Sequence, residues 1–341
     1  MRSLSDSAIR RLRDAADAPD LTGTKYEVLD RIGQGGMGTV YRARDRELGR
    51  DVALKVIRLP EGSPDVAARM LREARTLAQL EHPGIVPVHD VGTSPDGRAF
   101  YAMKLVRGSP LDALPASPVA ERLRIVERIC EAVAFAHAHG VIHRDLKPQN
   151  VMVGPFGEVL VMDWGVAKLT GDGGSSLGVA AVASEAARSA SPTTGHGVVL
   201  GTPGYMAPEQ AAGDPALVDA RVDVYAIGAI LRDLCADGES DDTEHTPNKP
   251  AKPGKPTAAG APRPLRAIID KAMATDAANR YQDVTSLARD VAAFRAGEPI
   301  SAYRENLLER TQRIISRYRT PILLVLAYLV MRTALALFFG R

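Results

Sequence analysis

Apolar positions along this chain change their period several times, and each change marks an element. From Tyr26 onward, short runs rich in β-branched and aromatic residues at 28–32, 39–43 and 51–57 are separated by glycine-rich or charged turns, which predicts three antiparallel strands. Two more strands are predicted at 85–91 and 98–106, joined by the turn Ser94-Pro95-Asp96-Gly97. Between these groups, Ser63 and Pro64 read as an N-cap and first-turn proline, and Val66, Met70, Ala74 and Leu77 recur at helical spacing until Pro83. A second helix opens at Ser117-Pro118, places Leu123, Val126, Ile129, Val133 and His137 on one face, and ends at Gly140. Residues 151–153 and 158–162 predict a hairpin around Gly154-Pro155-Phe156-Gly157, and 223–231 a buried helix.

Other stretches lack such periods. In residues 1–24 the apolar positions are too sparse for a firm stripe, which predicts a mobile or weakly helical extension. Residues 166–200 are rich in Gly, Ala, Ser and Thr and predict a mobile segment. Within 237–262, the prolines of 248–256 recur too closely for any helix, so this stretch reads as a disordered insert.

A chain of 341 residues with 45% hydrophobic composition can bury a sizeable core. Its formal charge of +2 gives no electrostatic case for a nucleic-acid partner, so any phosphate chemistry must be local. Cys130 and Cys235 fall in apolar helical patterns without metal-ligand companions and are expected to be buried free thiols. His137 and His139 are not read as a metal pair, because no Cys, Asp or Glu cluster accompanies them. The N-terminus carries no apolar run of signal-peptide length, so the catalytic region is expected to stay inside the cell.

The densest chemistry lies at His143-Arg144-Asp145-Leu146-Lys147-Pro148-Gln149-Asn150. There Asp145 can orient a hydroxyl and take its proton, Lys147 can meet phosphate oxygens, and the Asn150 carbonyl can meet a hard cation. Pro148 keeps the run out of a helix interior. Gly33, Gly35 and Gly38 form a G-x-G-x-x-G in which backbone amides can approach phosphates. Alone that pattern also fits a dinucleotide site, but the following Thr39, Val40 and Tyr41 continue as a strand rather than a helix.

Together these runs resemble the protein kinases, specifically the bacterial, eukaryotic-like serine/threonine type. The roles below are what the resemblance implies. Val52-Ala53-Leu54-Lys55 resembles the family's strand lysine, Glu73 its ion-pair partner, and Asp163-Trp164-Gly165 its metal-binding triplet. The implied fold is α+β and two-lobed, with a small antiparallel β lobe and one main helix over 25–106, and a helical lobe over 107–296. ATP would lie between the lobes, under Gly33, Gly35, Gly38 and Val40, with its phosphates on Lys55 and its adenine edge on the hinge at 104–108. Asn150 and Asp163 would hold Mg²⁺, Asp145 would orient a protein Ser or Thr hydroxyl, and Lys147 would steady the transferring group. Residues 201–209, Gly-Thr-Pro-Gly-Tyr-Met-Ala-Pro-Glu, resemble the anchor of the activation segment, with Arg280 pairing Glu209 and Asp223 supporting the catalytic loop. Two departures stand out: Trp164 replaces the usual Phe, and the proline-rich insert occupies a region of substrate-facing loops. A pseudokinase that binds nucleotide without transfer is the alternative, opposed by intact Lys55, Glu73, Asp145, Asn150 and Asp163; an oxidoreductase lacks alternating βα units.

Two expectations go beyond the motifs. Phosphorylation within 166–200, at Thr193 or Thr194 above all, could pair with Arg144 and order the segment, and homodimerisation would allow a chain to modify its copy. At the C-terminus, residues 297–320 read as juxtamembrane and 321–339 as a transmembrane helix. Residues 322–339 carry one charge, Arg332, and follow Arg313, Arg317 and Arg319. The expected placement is single-pass in the inner membrane with the kinase cytoplasmic, and with only Gly340 and Arg341 beyond the helix no outer sensor domain is expected.

Overall fold

The computed structural model describes residues 19–35, 38–57, 74–75, 77–115, 117–164, 168–169, 204–213, 218–236, 261–306, 310–311 and 319–339. Five antiparallel strands form the first lobe: β1 (Tyr26–Gly35), β2 (Gly38–Asp45), β3 (Arg50–Ile57), β4 (Val88–Thr93) and β5 (Ala99–Lys104), in the order β1-β2-β3-β5-β4. The first three strands run beyond their apolar runs because the ladder continues into charged positions, as in the Arg44–Asp51 pair of β2 and β3. The fourth starts later than its apolar run suggests, after Pro87, which has no amide to donate. Ile85 instead forms a lone bridge to Val161.

Strand alternation divides the sheet into two chemistries. Val52, Leu54 and Val56 of β3 join Tyr26, Tyr41 and Phe100 in a buried cluster on one face. Ala53 and Ile57 join Tyr101 and Met103 in a second cluster. Lys55, between them in the alternation, therefore leaves the sheet on the second face, and is only 7% exposed. Leu21 packs on the first face, so the expected mobile extension of 1–24 gives way to ordered structure before its end. Its preceding residues up to 18 lie outside the described residues, as do Glu73 and most of the helix expected from Ser63.

The second lobe is organised by α1 (Val119–Ala138), whose Leu123, Val126, Ile129, Cys130 and Val133 are buried in the main core. A short helix, α2 (Pro208–Ala211), leads to α3 (Arg221–Cys235), α4 (Arg263–Ala272) and α5 (Val284–Arg295). Gly228 of α3 permits close approach to α4, since a Cβ there would lie 2.7 Å from that of Ala272. Cys130 and Cys235 are buried free thiols. Small strands β6 (Ser109–Pro110), β8 (Val151–Val153) and β9 (Val159–Val161) make a sheet, and β7 (Val141–Ile142) pairs with β10 (Lys168–Leu169). Apart from β10, the expected mobile segment at 166–200 lies outside the described residues, as does nearly all of the insert at 237–262.

The second lobe does not stop at residue 296. Ile300 belongs to its core, with Ala302 and Tyr303 packed against it. Buried Asp290 fastens this strap by accepting from Tyr281 Oη (2.7 Å), Ser301 N (2.8 Å), Ser301 Oγ (2.7 Å) and Ala302 N (3.0 Å). The expected juxtamembrane boundary therefore moves beyond Tyr303. A last helix, α6 (Arg319–Phe339), spans 21 residues. Side chains are described for 323–333 of it, all exposed. Among the described residues no helix is long and apolar enough to cross a membrane.

Candidate active site

The catalytic-loop run sits between two buried anchors. Behind it, Asp223 on α3 is fully buried and accepts from the amides of His143 and Arg144, each at 2.8 Å, and meets His137 Nε2 at 2.7 Å. Burial pushes the Asp223 carboxyl up, but the hydrogen bonds from His137 and the His143 amide outweigh it and hold the group below the usual carboxylate range. In front of the loop, His143 Nε2 meets Met162 O at 2.9 Å and its ring lies 4.7 Å from that of Trp164. The Met162 amide donates to Asn150 O at 2.8 Å. The loop and the segment ending at Trp164 are thus held as one unit.

On this frame Asp145 and Lys147 form an ion pair at 2.8 Å, each side chain 23% exposed. Asn150 donates through Nδ2 to Asp145 O at 2.7 Å, so its carbonyl oxygen is left as the free acceptor of the amide. Lys55 reaches from the sheet to contact Asp163 Oδ1. Burial acts against the charged Lys55, but Tyr101 and Asp163 outweigh this and keep it above the ordinary lysine value. At Asp163 burial is likewise outweighed, by Lys55, and the carboxyl stays below its usual range. The Asp163 side chain is still 44% exposed. Among the described residues, Arg144 (φ 66°) and Asp163 (φ 58°) are the two non-glycine residues in left-handed backbone, and both border this cleft. Such conformations cost about 1–3 kcal/mol each and persist where surrounding contacts over-determine them.

The site therefore brings together Lys55, Asp145, Lys147, Asn150 and Asp163. Val40 stands opposite both Gly33 on β1 and Lys55 on β3, and a Cβ at Gly38 would lie 2.3 Å from Val56 O. Only glycine fits so close to β3, and Gly35 is the last residue of β1. Glu73 lies outside the described residues, and Lys55 is described against Asp163. Arg280 meets Glu209 through both guanidinium nitrogens, at 2.6 and 2.8 Å, as the resemblance implied. Trp164 is 3% exposed and donates Nε1 to Val161 O at 3.1 Å, so the larger ring serves as a plug with its polar atom satisfied.

Three participants escaped sequence reasoning. His137 was placed on an apolar face, with no sign of its carboxylate partner 86 residues away. Gln210 donates to Arg144 O at 2.8 Å, a contact that needs the tertiary fold. Tyr101 was one aromatic in an apolar strand; an unpaired polar atom on that strand's buried face was the available signal.

A small antiparallel lobe over a helical lobe, with this set of lysine, aspartates and asparagine between them, defines a protein kinase domain. The chain belongs to the protein kinase family: residues 26–255 match its protein kinase domain. It is 36% identical over 300 residues to the serine/threonine-protein kinase PknD of Protochlamydia amoebophila, covering 80% of this chain and 30% of that protein. The DNA damage-responsive serine/threonine-protein kinase RqkA of Deinococcus radiodurans is 44% identical over 221 residues, covering 62% of this chain and 30% of RqkA. PknB of Mycobacterium tuberculosis is 36% identical over 301 residues, covering 83% and 45%. The chain thus spans less than half the length of these curated relatives. Among solved structures, the PknI kinase domain of Mycobacterium tuberculosis matches with a TM-score of 0.55 and 27% identity, over 81% of this chain and 98% of that one.

Proposed function

We propose that this chain is a serine/threonine protein kinase that transfers the γ-phosphate of ATP to protein Ser or Thr hydroxyls. The observation that carries this reading is the gathering of Lys55, Asp145, Lys147, Asn150 and Asp163 on one braced loop and cleft. The donor set fits a hard cation, because the Asp163 carboxylate and the Asn150 carbonyl are oxygen ligands of the kind Mg²⁺ takes. Bound Mg²⁺ would neutralise charge on the phosphates. Lys55 holds phosphate oxygens, the amides at Gly33, Gly35 and Gly38 cover them, and Val40 caps the adenine. Glu73 has the role of fixing Lys55 in the active arrangement. Asp145 orients the incoming hydroxyl and takes its proton while Lys147 offsets charge on the transferring group, so catalysis is positioning and electrostatics.

The same reading includes a membrane anchor and cytoplasmic placement at the inner membrane. Residues 322–339 are a run of 18 with Arg332 as the one charge, and at 1.5 Å per residue they reach about 27 Å, near the hydrocarbon thickness. Leu323, Leu324, Val325, Leu326, Leu329 and Val330 are all exposed, a surface that lipid would cover. Arg313, Arg317 and Arg319 before the helix favour the kinase side as cytoplasmic. Modification of Thr193 or Thr194 by a second copy completes the proposal; those residues lie outside the described ones.

Radiolabel transfer from ATP with Mg²⁺, beside Asp145→Asn, tests the chemistry: wild type incorporates label and the variant loses about 10²–10⁴-fold. Equal labelling of both proteins sinks the assignment. Release of the full chain from membranes by carbonate would sink the anchor, and an unmodified 166–200 segment in active protein would sink the activation step.

A further inference from the structure

We propose that Tyr101 is a positioning residue for Lys55, its phenol oxygen accepting a hydrogen bond that holds the ammonium on the sheet side of the cleft. The inference rests on the ATP-dependent reading above and adds a residue to its nucleotide site. Tyr101 on β5 is the direct partner of Lys55 on β3, so the two side chains leave neighbouring strands on the same face. Opposed side chains in an antiparallel pair start about 4.5–5.5 Å apart, close enough for a long amine and a phenol to meet. The two polar groups also interact electrostatically across the pair, Tyr101 acting to keep the lysine charged, and of the two the ammonium is the one that can only donate.

Both residues are buried to 7% exposure. Ala99, Tyr101 and Met103 share the alternating face of β5, and the phenol is the one polar side-chain group among those three. A polar atom in such a place needs a partner, and the Lys55 ammonium supplies it. Tyr101 is buried in one apolar cluster with Ala53, Ile57, Val86 and Met103, so its surroundings offer the ring close packing. Burial holds the Tyr101 phenol above its ordinary range, with Lys55 only partly opposing this, so the hydroxyl stays neutral and its lone pairs remain available.

The physical need follows from the lysine itself. Lys55 carries three donors on a flexible four-carbon stem, and Asp163 already draws it across the cleft. If Asp163 turns to a cation, that anchor weakens. A fixed acceptor on the sheet side keeps the ammonium where phosphate oxygens arrive.

The experiment uses the full chain and a fluorescent ATP analogue, with binding read directly and without turnover. Tyr101→Phe keeps the ring and removes only the oxygen; it is expected to weaken binding about tenfold, in line with a hydrogen bond to a charged group. In a Lys55→Met background the same change is expected to do nothing, because the effect passes through the ammonium. Steady-state assays should show KM for ATP rising while kcat stays within about threefold. Wild-type affinity in Tyr101→Phe overturns the proposal, as does an equal loss with and without Lys55, which would make the phenol a packing feature. If melting curves show Tyr101→Phe poorly folded, Tyr101→Leu in both backgrounds decides the same coupling. A wild type that binds the analogue but never transfers phosphate defeats the kinase reading alone, since the binding cycle still reports on Tyr101.

Discussion

Asp223 and Asp163 lie on opposite sides of one catalytic loop and are built in opposite ways. Asp223 is sealed, with both oxygens used by two backbone amides and His137. Asp163 is 44% exposed at its side chain, sits in left-handed backbone, and is met by a lysine on a flexible stem. A carboxylate saturated by fixed donors cannot take a ligand without losing them, so it serves as framework. A carboxylate with open lone pairs and one mobile partner can exchange that partner for a cation. The same division separates the Glu209–Arg280 pair, closed by five contacts from the guanidinium, from the Asp145–Lys147 pair in the open cleft.

The sharpest way to break this comparison is to remove the sealed group. Asp223→Ala orphans two buried amides and an imidazole, and should cost about 3–5 kcal/mol in urea unfolding. A loss under 1 kcal/mol would show that the loop does not depend on it. Next, Asp163→Asn should lower phosphoryl transfer about 10²–10³-fold while shifting the melting temperature by less than about 3 °C. A stability loss as large as that at Asp223 would erase the distinction. Glu209→Gln weakens the buried pair but keeps an acceptor, with about 1.5–3 kcal/mol of stability lost; unchanged unfolding would make the pair a surface-like contact.

Acid sensitivity tests the sealed aspartate directly. The folded Asp223 carboxyl lies below its unfolded value, so its stabilisation is present above about pH 4 and is lost as pH falls through the folded value. Stability of Asp223→Asn should therefore fall less steeply than wild type on acidification below about pH 4, and parallel curves would contradict the assignment. The smallest effect is expected at Trp164→Phe, which keeps an aromatic plug but drops the bond to Val161 O, costing about 1 kcal/mol. A much larger loss would mean that the indole volume, rather than its N–H, braces the loop.

Much of this arrangement was legible in the chain. The loop from His143 to Asn150 could be read because its chemistry is local: a proton acceptor, a cation and an amide oxygen must lie within a few residues to share one cleft. Lys55 could be read because a lysine in an apolar strand is costly without a partner. The helical stripe of Leu123, Val126, Ile129 and Val133 predicted its own burial. Leu21 and Ile300 were missed because single apolar residues in polar stretches carry no period, and only a neighbouring surface decides whether they are covered.

The sequence by itself determined the family, the order of the strands along the chain and the residue types of the cleft, because local spacing sets period, turn chemistry and the reactive groups at hand. Tertiary structure alone decided which strands became neighbours. By laying β5 beside β3 it brought Tyr101 to Lys55, and by packing α3 under the loop it brought Asp223 to His137, 86 residues away. Those contacts depend on the three-dimensional closure of apolar faces, which many pairings could satisfy in sequence and which the fold satisfies together with these buried polar contacts.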